Sequence, residues 1–363
     1  MNARITSVGA QAFVIPTAGP EADGTLSWDK TGLVTAQIFS GSQTGFGYSY
    51  SDGSAAILIK DKLAEILVGR DAFDIQGLNR RLWQSVRNIG RAGISACAIS
   101  ALDLALWDLK ARLLGISLGA LLGRQRDNVE IYGSGGFTNY DDGLLARQLA
   151  GWVEQADCRA VKMKIGSEPA RDVSRVLAAR AAIGPDVKLF VDANGAFSPR
   201  DALTMMRKFS EYRISWFEEP VSSDDLPGLV MVREHTGAEI DIAAGEYCFT
   251  LDDVRIMLAA NAVDVQQCDI TRCGGITGFM QAATLCEAFH KPLSAHCAPS
   301  AHLHAACAVP RLRHVEWFHD HVRIEQLLFD GAPSAMNGRI APDDSRPGNG
   351  LNLKTQDAAR YAV

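Results

Sequence analysis

The chain has 363 residues, 47% of them hydrophobic and 21% charged, with a formal net charge of −6. That length suits one large α/β domain with a smaller companion, and the acidic balance, without any basic run, excludes a general affinity for nucleic acid. No apolar run approaches the roughly 18 to 20 residues a membrane span requires, and the opening "MNARITSVGAQAF" carries no secretory pattern.

In chain order, "RITSVGAQAFVIP" and "TGLVTAQIFSGSQTGFGYSY" read as strands, with "PTAGPEADGTLSWDKTG" between them as a mobile loop rich in Gly, Pro and charge. "SAAILIKDKLAEILVG" reads as a helix from a capping Ser54 to Gly69. "GISACAISALDLALWDLKARLLG" is a longer helix, apolar nearly all round and therefore packed inside. No helix directly follows Gly45–Gly47, so this pair carries no phosphate-binding weight.

From residue 129 the pattern repeats. "VEIYGSGG", "RAVKMKIG", "KLFVDANG", "ISWFEEP", "EIDIAAGE", "DVQQCDI", "KPLSAHC" and "RHVEWF" are apolar strands alternating with helical stretches. Ser198-Pro199 and Thr250-x-x-Asp253 are helix starts in the expected places. Consecutive βα units predict a closed (β/α) barrel, with a doubly wound open sheet as the alternative. The eight cysteines form no Cys-x-x-Cys pair, which fits buried free thiols in a reducing cytoplasm better than a disulfide framework or zinc site. Cys297 stands apart because it follows a histidine of interest.

The strand ends carry the chemistry. Lys164, Asp192, Glu218, Glu246, Asp269, His296 and Glu316 follow one another at intervals of 28, 26, 28, 23, 27 and 20 residues, about one βα unit each. In a barrel they converge on the mouth formed by the C-terminal ends of the strands. Asp192, Glu218 and Glu246 are three hard oxygen donors on adjacent strands, and such a cluster repels itself unless a cation such as Mg²⁺ is present. Taken singly, each would more often be a solvated acid; their common register favours metal binding.

Lys162 and Lys164 lie two apart on one strand and share a face. Paired ammoniums lower each other's pKa, which predicts that Lys164 serves as a base while Lys162 holds a substrate carboxylate. Asp269, one unit before His296, can fix the tautomer of that imidazole and make it a second base. His302 and His304 fit a helix start and are given no role. A protonated Glu316 could donate to a developing oxyanion.

The ordered set "VKMKIG", "VDANG", "WFEEP", "AAGE", "CDITRCGG", "SAHC" and "HVEWF" resembles the mandelate racemase subgroup of the enolase superfamily over nearly the whole chain. The resemblance implies a modified (β/α)8, or (β/α)7β, TIM barrel over 126–320. It implies an α+β capping domain over 1–125 and a C-terminal segment, 321–363, that returns to the cap. It implies Mg²⁺ held by Asp192, Glu218 and Glu246, bases Lys164 and His296–Asp269, and Lys162 and Glu316 on the substrate carboxylate. Asn194 matches a position that touches substrate, and Trp28 sits in the loop expected to close over the mouth. Arg272 replaces a lysine there and, being unable to act as a base at neutral pH, disfavours the lysine-pair cycloisomerase mechanism. A Lys-x-Lys pair with a His–Asp dyad is similar to that of acid-sugar dehydratases. The expected reaction is therefore dehydration of an acid sugar to a 2-keto-3-deoxy product. Racemisation, epimerisation or lactone cycloisomerisation is the enzymatic alternative, and non-catalytic sugar-acid binding a second. The resemblance also implies a homo-oligomer.

Overall fold

The computed structural model describes residues 3–363. A three-stranded antiparallel sheet opens the chain: β1 (Ser7–Ala22), β2 (Ser27–Ser40) and β3 (Gln43–Tyr50). The segment expected to be a mobile loop is instead the end of a long β1–β2 hairpin, paired from Ser7↔Phe39 through Pro16↔Lys30. After a register shift the ladder resumes at Glu21↔Trp28 and Ala22↔Ser27. Gly and Pro tolerate this irregularity, while the ladder satisfies backbone groups that an unpaired excursion would leave to water.

Helices α1 (Ser54–Leu58) and α2 (Ala64–Leu67) are joined by a π-helical turn, Ile59–Leu63, and Gly53 rather than Ser54 occupies the N-cap. α3 (Ile75–Ser85), α4 (Ile94–Leu114) and α5 (Leu118–Leu122) follow. The 21-residue α4 is buried on most of its faces because it lies between the antiparallel sheet and the barrel. Gly45 and Gly47 have a packing role here: a Cβ on either would run into the carbonyl oxygens of Ala105 and Ala101 of α4. Among the described residues no helix is long and apolar enough to cross a membrane.

The barrel is built from β4 (Val129–Gly135), α6 (Asp142–Ala156), β5 (Ala160–Lys164), α7 (Pro169–Ile183), β6 (Lys188–Asp192), α8 (Pro199–Phe209) and β7 (Ile214–Glu218). It continues with α9 (Leu226–His235), β8 (Asp241–Ala244), α10 (Leu251–Ala259), β9 (Val265–Cys268), α11 (Gly275–Ala288), β10 (Leu293–Ala295), α12 (Pro299–Ala308) and β11 (Leu312–Phe318). Strands β4 to β11 pair in parallel, and β11 returns to β4 through Val315↔Ile131 to Phe318↔Ser134. Eight strands and seven connecting helices thus close the modified TIM barrel, and the open-sheet alternative falls. Ser198 caps α8 through the Asp201 N–H, and Thr250 with Asp253 forms the expected capping box.

α13 (His319–Leu328), the short strands β12 (Phe329–Asp330), β13 (Arg339–Ile340) and β14 (Asn352–Leu353), and α14 (Thr355–Ala359) complete the chain. This last stretch reaches back to β1, where Val14 N–H donates to Tyr361 O at 2.9 Å and Val363 N–H to Ala12 O at 3.1 Å.

Period-2 alternation sorts the barrel interior into layers. Tyr132, Ala160, Phe190, Trp216, Ala243 and Val265, one from each of six adjacent strands, form an apolar floor. Each large member contributes about 1.5–3 kcal/mol by leaving water. Two residues further along, Ser134, Lys162, Asp192 and Glu218 point the same way and form a polar layer above it.

Candidate active site

Every strand-end residue expected in the ring is buried at the barrel mouth: Lys162, Asp192 and Glu218 are fully enclosed, and Lys164, Glu246, Asp269, His296 and Glu316 nearly so. Lys162 Nζ lies 2.5 Å from Glu218 Oε1, 2.8 Å from Glu316 Oε1 and 3.2 Å from Asp192 Oδ2. Lys164 Nζ lies 2.6 Å from Asp192 Oδ2 and donates to Asn194 Oδ1 at 3.0 Å. Asn194 adopts a left-handed turn (φ 45°) before Gly195 (φ 77°), which lets its own N–H donate back to Asp192 Oδ1 at 2.9 Å. The polar end of "VDANG" is thus a turn that fixes a carboxylate and an amide around one ammonium.

The expectation that Lys162 would depress Lys164 is corrected. Burial and Lys162 do pull Lys164 down, but attraction to Asp192, Glu218 and Glu246 outweighs them and holds the ammonium above its ordinary range. Glu316 is likewise not a proton donor here. Its oxygens accept from Ser134 Oγ at 2.5 Å, Cys297 N–H at 3.0 Å and Lys162, and against burial the charges of Lys162, His296 and Lys164 hold it below the usual carboxylate range.

The dyad assembles as expected. His296 Nδ1 lies 2.9 Å from Asp269 Oδ2, while Asp269 Oδ1 accepts from the Thr271 N–H and hydroxyl, both at 2.7 Å. Burial opposes ionisation of His296, but Cys297, Glu246 and Asp269 raise it well above an ordinary imidazole. His296, Cys297 and Glu316 offer N, S and O donors within 4.8 Å of one another. However, burial and Glu316 push the Cys297 thiol up to about 12, so no thiolate is available for a soft metal.

The donors that could hold a metal are the three carboxylates. Burial and Asp192 push Glu218 up to about 8 against the pull of Lys162, the mark of a cluster short of positive charge. Glu246 Oε1 lies 3.2 Å from Arg272 Nη1. Its Oε2 is 3.2 Å from His296 Nε2 without hydrogen-bond geometry, and this buried oxygen has no hydrogen-bond partner. Three buried hard-oxygen groups with surplus negative charge and an orphaned oxygen fit a hard divalent cation such as Mg²⁺.

Arg272 also reaches Asp269 Oδ2 at 3.5 Å and stacks over the Tyr247 ring, bridging Glu246 and Asp269. His302 Nε2 accepts from the Ile270 N–H at 2.9 Å, a backbone anchor. Trp28 donates its indole N–H to Glu21 Oε2 at 3.0 Å and meets Phe137 edge-on at 5.7 Å. Three residues were missed by the sequence reading. Ser134 holds Glu316; Glu21 sits in the hairpin; and Glu219, next to Glu218 in "WFEEP", is buried with one oxygen unpartnered and burial pushing it well up. Glu21 had no sequence signal, because its pairing with Trp28 exists only once the hairpin is formed.

A closed parallel barrel with lysines, carboxylates and a His–Asp pair gathered at its mouth has the build of an enzyme. The chain belongs to the mandelate racemase/muconate lactonizing enzyme family. Residues 10–123 match the family model "Mandelate racemase / muconate lactonizing enzyme, N-terminal domain", and residues 144–358 match "Enolase C-terminal domain-like". It is 31% identical to the L-talarate/galactarate dehydratase of Salmonella typhimurium, over 97% of this chain and 90% of that one. The crystal structure of a mandelate racemase/muconate lactonizing enzyme-like protein from Rubrobacter xylanophilus superimposes with a TM-score of 0.97 at 46% identity, covering 99% of this chain and 100% of that one. A racemase from Streptomyces coelicolor A3(2), solved with bound magnesium, superimposes with a TM-score of 0.93 at 30% identity, covering 99% of this chain and 100% of that one.

Proposed function

We propose that the protein is a Mg²⁺-dependent dehydratase of an acid sugar. It removes the proton α to a carboxylate and expels the β-hydroxyl as water, leaving an enol that becomes a 2-keto-3-deoxy acid. The observation that carries this reading is that two separate bases, Lys164 and the Asp269-bound His296, stand in one buried ring with three carboxylates. Asp192, Glu218 and Glu246 would hold the ion. Bound there, Mg²⁺ would supply positive charge to the developing enediolate and offset the carboxylate charge that keeps Lys164 protonated.

The remaining work falls to side chains of the chain. Lys162, paired with a Glu316 that Ser134 holds in place, would set an ammonium beside the substrate carboxylate. Asn194, bonded to Lys164, orients that amine and lies where substrate would reach it. One base takes the α-proton; His296, once protonated, returns a proton to the departing hydroxyl through Nε2, since Nδ1 is committed to Asp269. The same two bases could return the proton to the opposite face instead, which is racemisation or epimerisation, a reading favoured by the likeness to the Streptomyces racemase.

The reading also divides the chain into a cap (1–125), a catalytic barrel (126–320) and a C-terminal segment (321–363), a division supported by the hydrogen bonds from the last residues to β1. A panel of acid sugars incubated with Mg²⁺ tests the function. Release of 2-keto-3-deoxy product supports dehydration. Solvent deuterium entering C2 without loss of water assigns an isomerase, and ligand binding without either assigns a non-catalytic binder.

A further inference from the structure

His302, on the first turn of α12, is fully buried and bonds the backbone directly behind both halves of the dyad. Its Nε2 accepts the N–H of Ile270, the residue after Asp269, at 2.9 Å. Its Nδ1 lies 3.0 Å from Cys297 O and 3.1 Å from Ala298 O, the first two carbonyls after His296. An amide N–H can only donate and a carbonyl can only accept, so these partners fix His302 as the neutral imidazole with its proton on Nδ1. Burial, which holds it below the ordinary imidazole range, agrees with that form. One ring thus joins the segments that leave β9 and β10, and Phe279 of α11 meets it edge-on at 5.1 Å.

The turn after His296 needs such support. Cys297 and Ala298 have φ of 50° and 39°, two residues with side chains in succession in the left-handed region. That conformation is costly without glycine and persists where the surrounding bonds over-determine it. Every polar backbone atom of the pair is occupied. Cys297 N–H donates to Glu316 Oε2 at 3.0 Å and Ala298 N–H to His321 Nδ1 at 3.2 Å. His302 Nδ1 takes the two carbonyls, and Ala298 O also accepts from the N–H groups of Ala301 and His302. Across the gap, Thr271 N–H is committed to Asp269 Oδ1, and Ile270 N–H, between them in the chain, has His302 as its partner.

We propose that His302 is a positioning residue for the dyad: by tying the backbone after Asp269 to the backbone after His296, it holds His296 Nδ1 at 2.9 Å from Asp269 Oδ2 and aims Nε2 into the ring. It exchanges no proton with substrate and acts through the two residues it joins. Its donor and acceptor stand on one rigid ring, so the imidazole itself sets the span between the two segments. A side chain that keeps only one of the bonds leaves the other segment free to shift. Misplacing a catalytic group by about 1 Å is enough to cost on the order of a hundredfold in rate. The kinetic consequence rests on the dehydratase reading, whereas the geometry that His302 fixes does not depend on turnover.

Three variants of the full chain test this role. His302→Phe keeps a ring and loses both bonds. His302→Asn puts an amide nitrogen where Nδ1 stands and can keep the bonds to the carbonyls, while the longer His302→Gln can accept from Ile270 N–H instead. With Mg²⁺ and the acid sugar found by the substrate panel, His302→Phe is expected to lower kcat by about 10- to 100-fold with KM within about threefold. At least one of the two amide variants is expected to recover part of that loss. Crystal structures of the wild type and His302→Phe give a readout that needs no substrate: the His296–Asp269 contact is expected to lengthen past about 3.5 Å while Lys164 stays on Asp192. A dyad unmoved in folded His302→Phe overturns the proposal, as does wild-type kcat in all three variants or a loss carried by KM. Failure of all three to fold also overturns it, since His302 would then serve folding alone. If only His302→Phe fails to fold, wild-type kcat and dyad geometry in both amide variants overturn it. A displaced dyad in a protein that turns over no acid sugar upholds the role of His302 and removes the dehydratase reading.

Discussion

Asp269 Oδ2 lies 2.9 Å from His296 Nδ1, and the aspartate is itself locked by two hydrogen bonds from Thr271 to its other oxygen. A carboxylate fixed from both sides dictates which imidazole nitrogen carries the proton and turns Nε2 toward the ring. Asp269→Asn keeps the shape but lets the wrong tautomer form, so kcat is expected to fall by about 10²–10⁴-fold. Steady-state kinetics with the identified substrate checks it; a loss under threefold would dismiss the dyad.

Lys164 touches Asp192 and Asn194 but no group of the dyad, so the two proposed bases are separable. Lys164→Met is expected to reduce turnover by at least about 10³-fold while substrate affinity changes by less than tenfold. Comparing single-turnover rates with calorimetric binding separates the two effects. Unimpaired turnover would take the amine out of the chemistry.

The three carboxylates should bind Mg²⁺ even without substrate. Ligand that binds only the folded state stabilises it by about 2.7 kcal/mol at a hundred times its Kd. Saturating Mg²⁺ is thus expected to raise the thermal midpoint by several degrees, and Asp192→Asn or Glu218→Gln to abolish the shift. A midpoint indifferent to Mg²⁺ in the wild type would contradict the metal assignment.

Gly24 is not among the glycines with positive φ; the constraint on it is space. Gly24→Ala drives a methyl group into the carbonyls of Ile165 and Ala193 and lifts the hairpin from the mouth. The expected result is a loss of about 10- to 100-fold in kcat/KM with the far-UV circular dichroism unchanged. Activity equal to wild type would mean that the hairpin does not need to seat.

Glu325 joins the cap to the barrel by accepting from Tyr48 Oη at 2.6 Å and from Ser300 N–H and Oγ at 3.0 and 2.6 Å. Burial raises it to about 7, against those hydrogen bonds. The folded protein therefore keeps a proton that the unfolded chain has released above about pH 4.3. Stability from this group is complete below that pH and is lost as pH rises through about 7. The thermal midpoint of the wild type relative to Glu325→Gln is expected to drop by a few degrees between pH 5 and pH 8. A constant difference would mean that the carboxyl is not held neutral.

Much of this was legible because barrel strands have a simple grammar. An apolar run such as "KLFVD" is buried on both faces, and a polar residue closing it can be satisfied only at the mouth, so the spacing of Asp192, Glu218, Glu246, Asp269, His296 and Glu316 carried both topology and site. The hairpin was not legible, because pairing between strands decides it and "PTAGPEADGTLSWD" has loop composition. Gly45 and Gly47 looked idle for a similar reason: the requirement comes from Ala105 and Ala101 of α4, far along the chain. Protonation was the least readable layer. Lys162 and Lys164 as neighbours predict mutual depression, but the carboxylates around them, brought by other strands, reverse the sign for Lys164, and the charges of Lys162, His296 and Lys164 hold Glu316 below the usual carboxylate range.

The most direct measurement of the central claim is the fate of the C2 hydrogen of an acid sugar incubated with the protein and Mg²⁺ in D₂O. The account predicts that hydrogen is lost, with 2-keto-3-deoxy acid accumulating, and that no such product accumulates with Lys164→Met or His296→Asn. Complete retention of the C2 hydrogen across galactonate, gluconate and their diacids, under conditions where the acids bind, would contradict it.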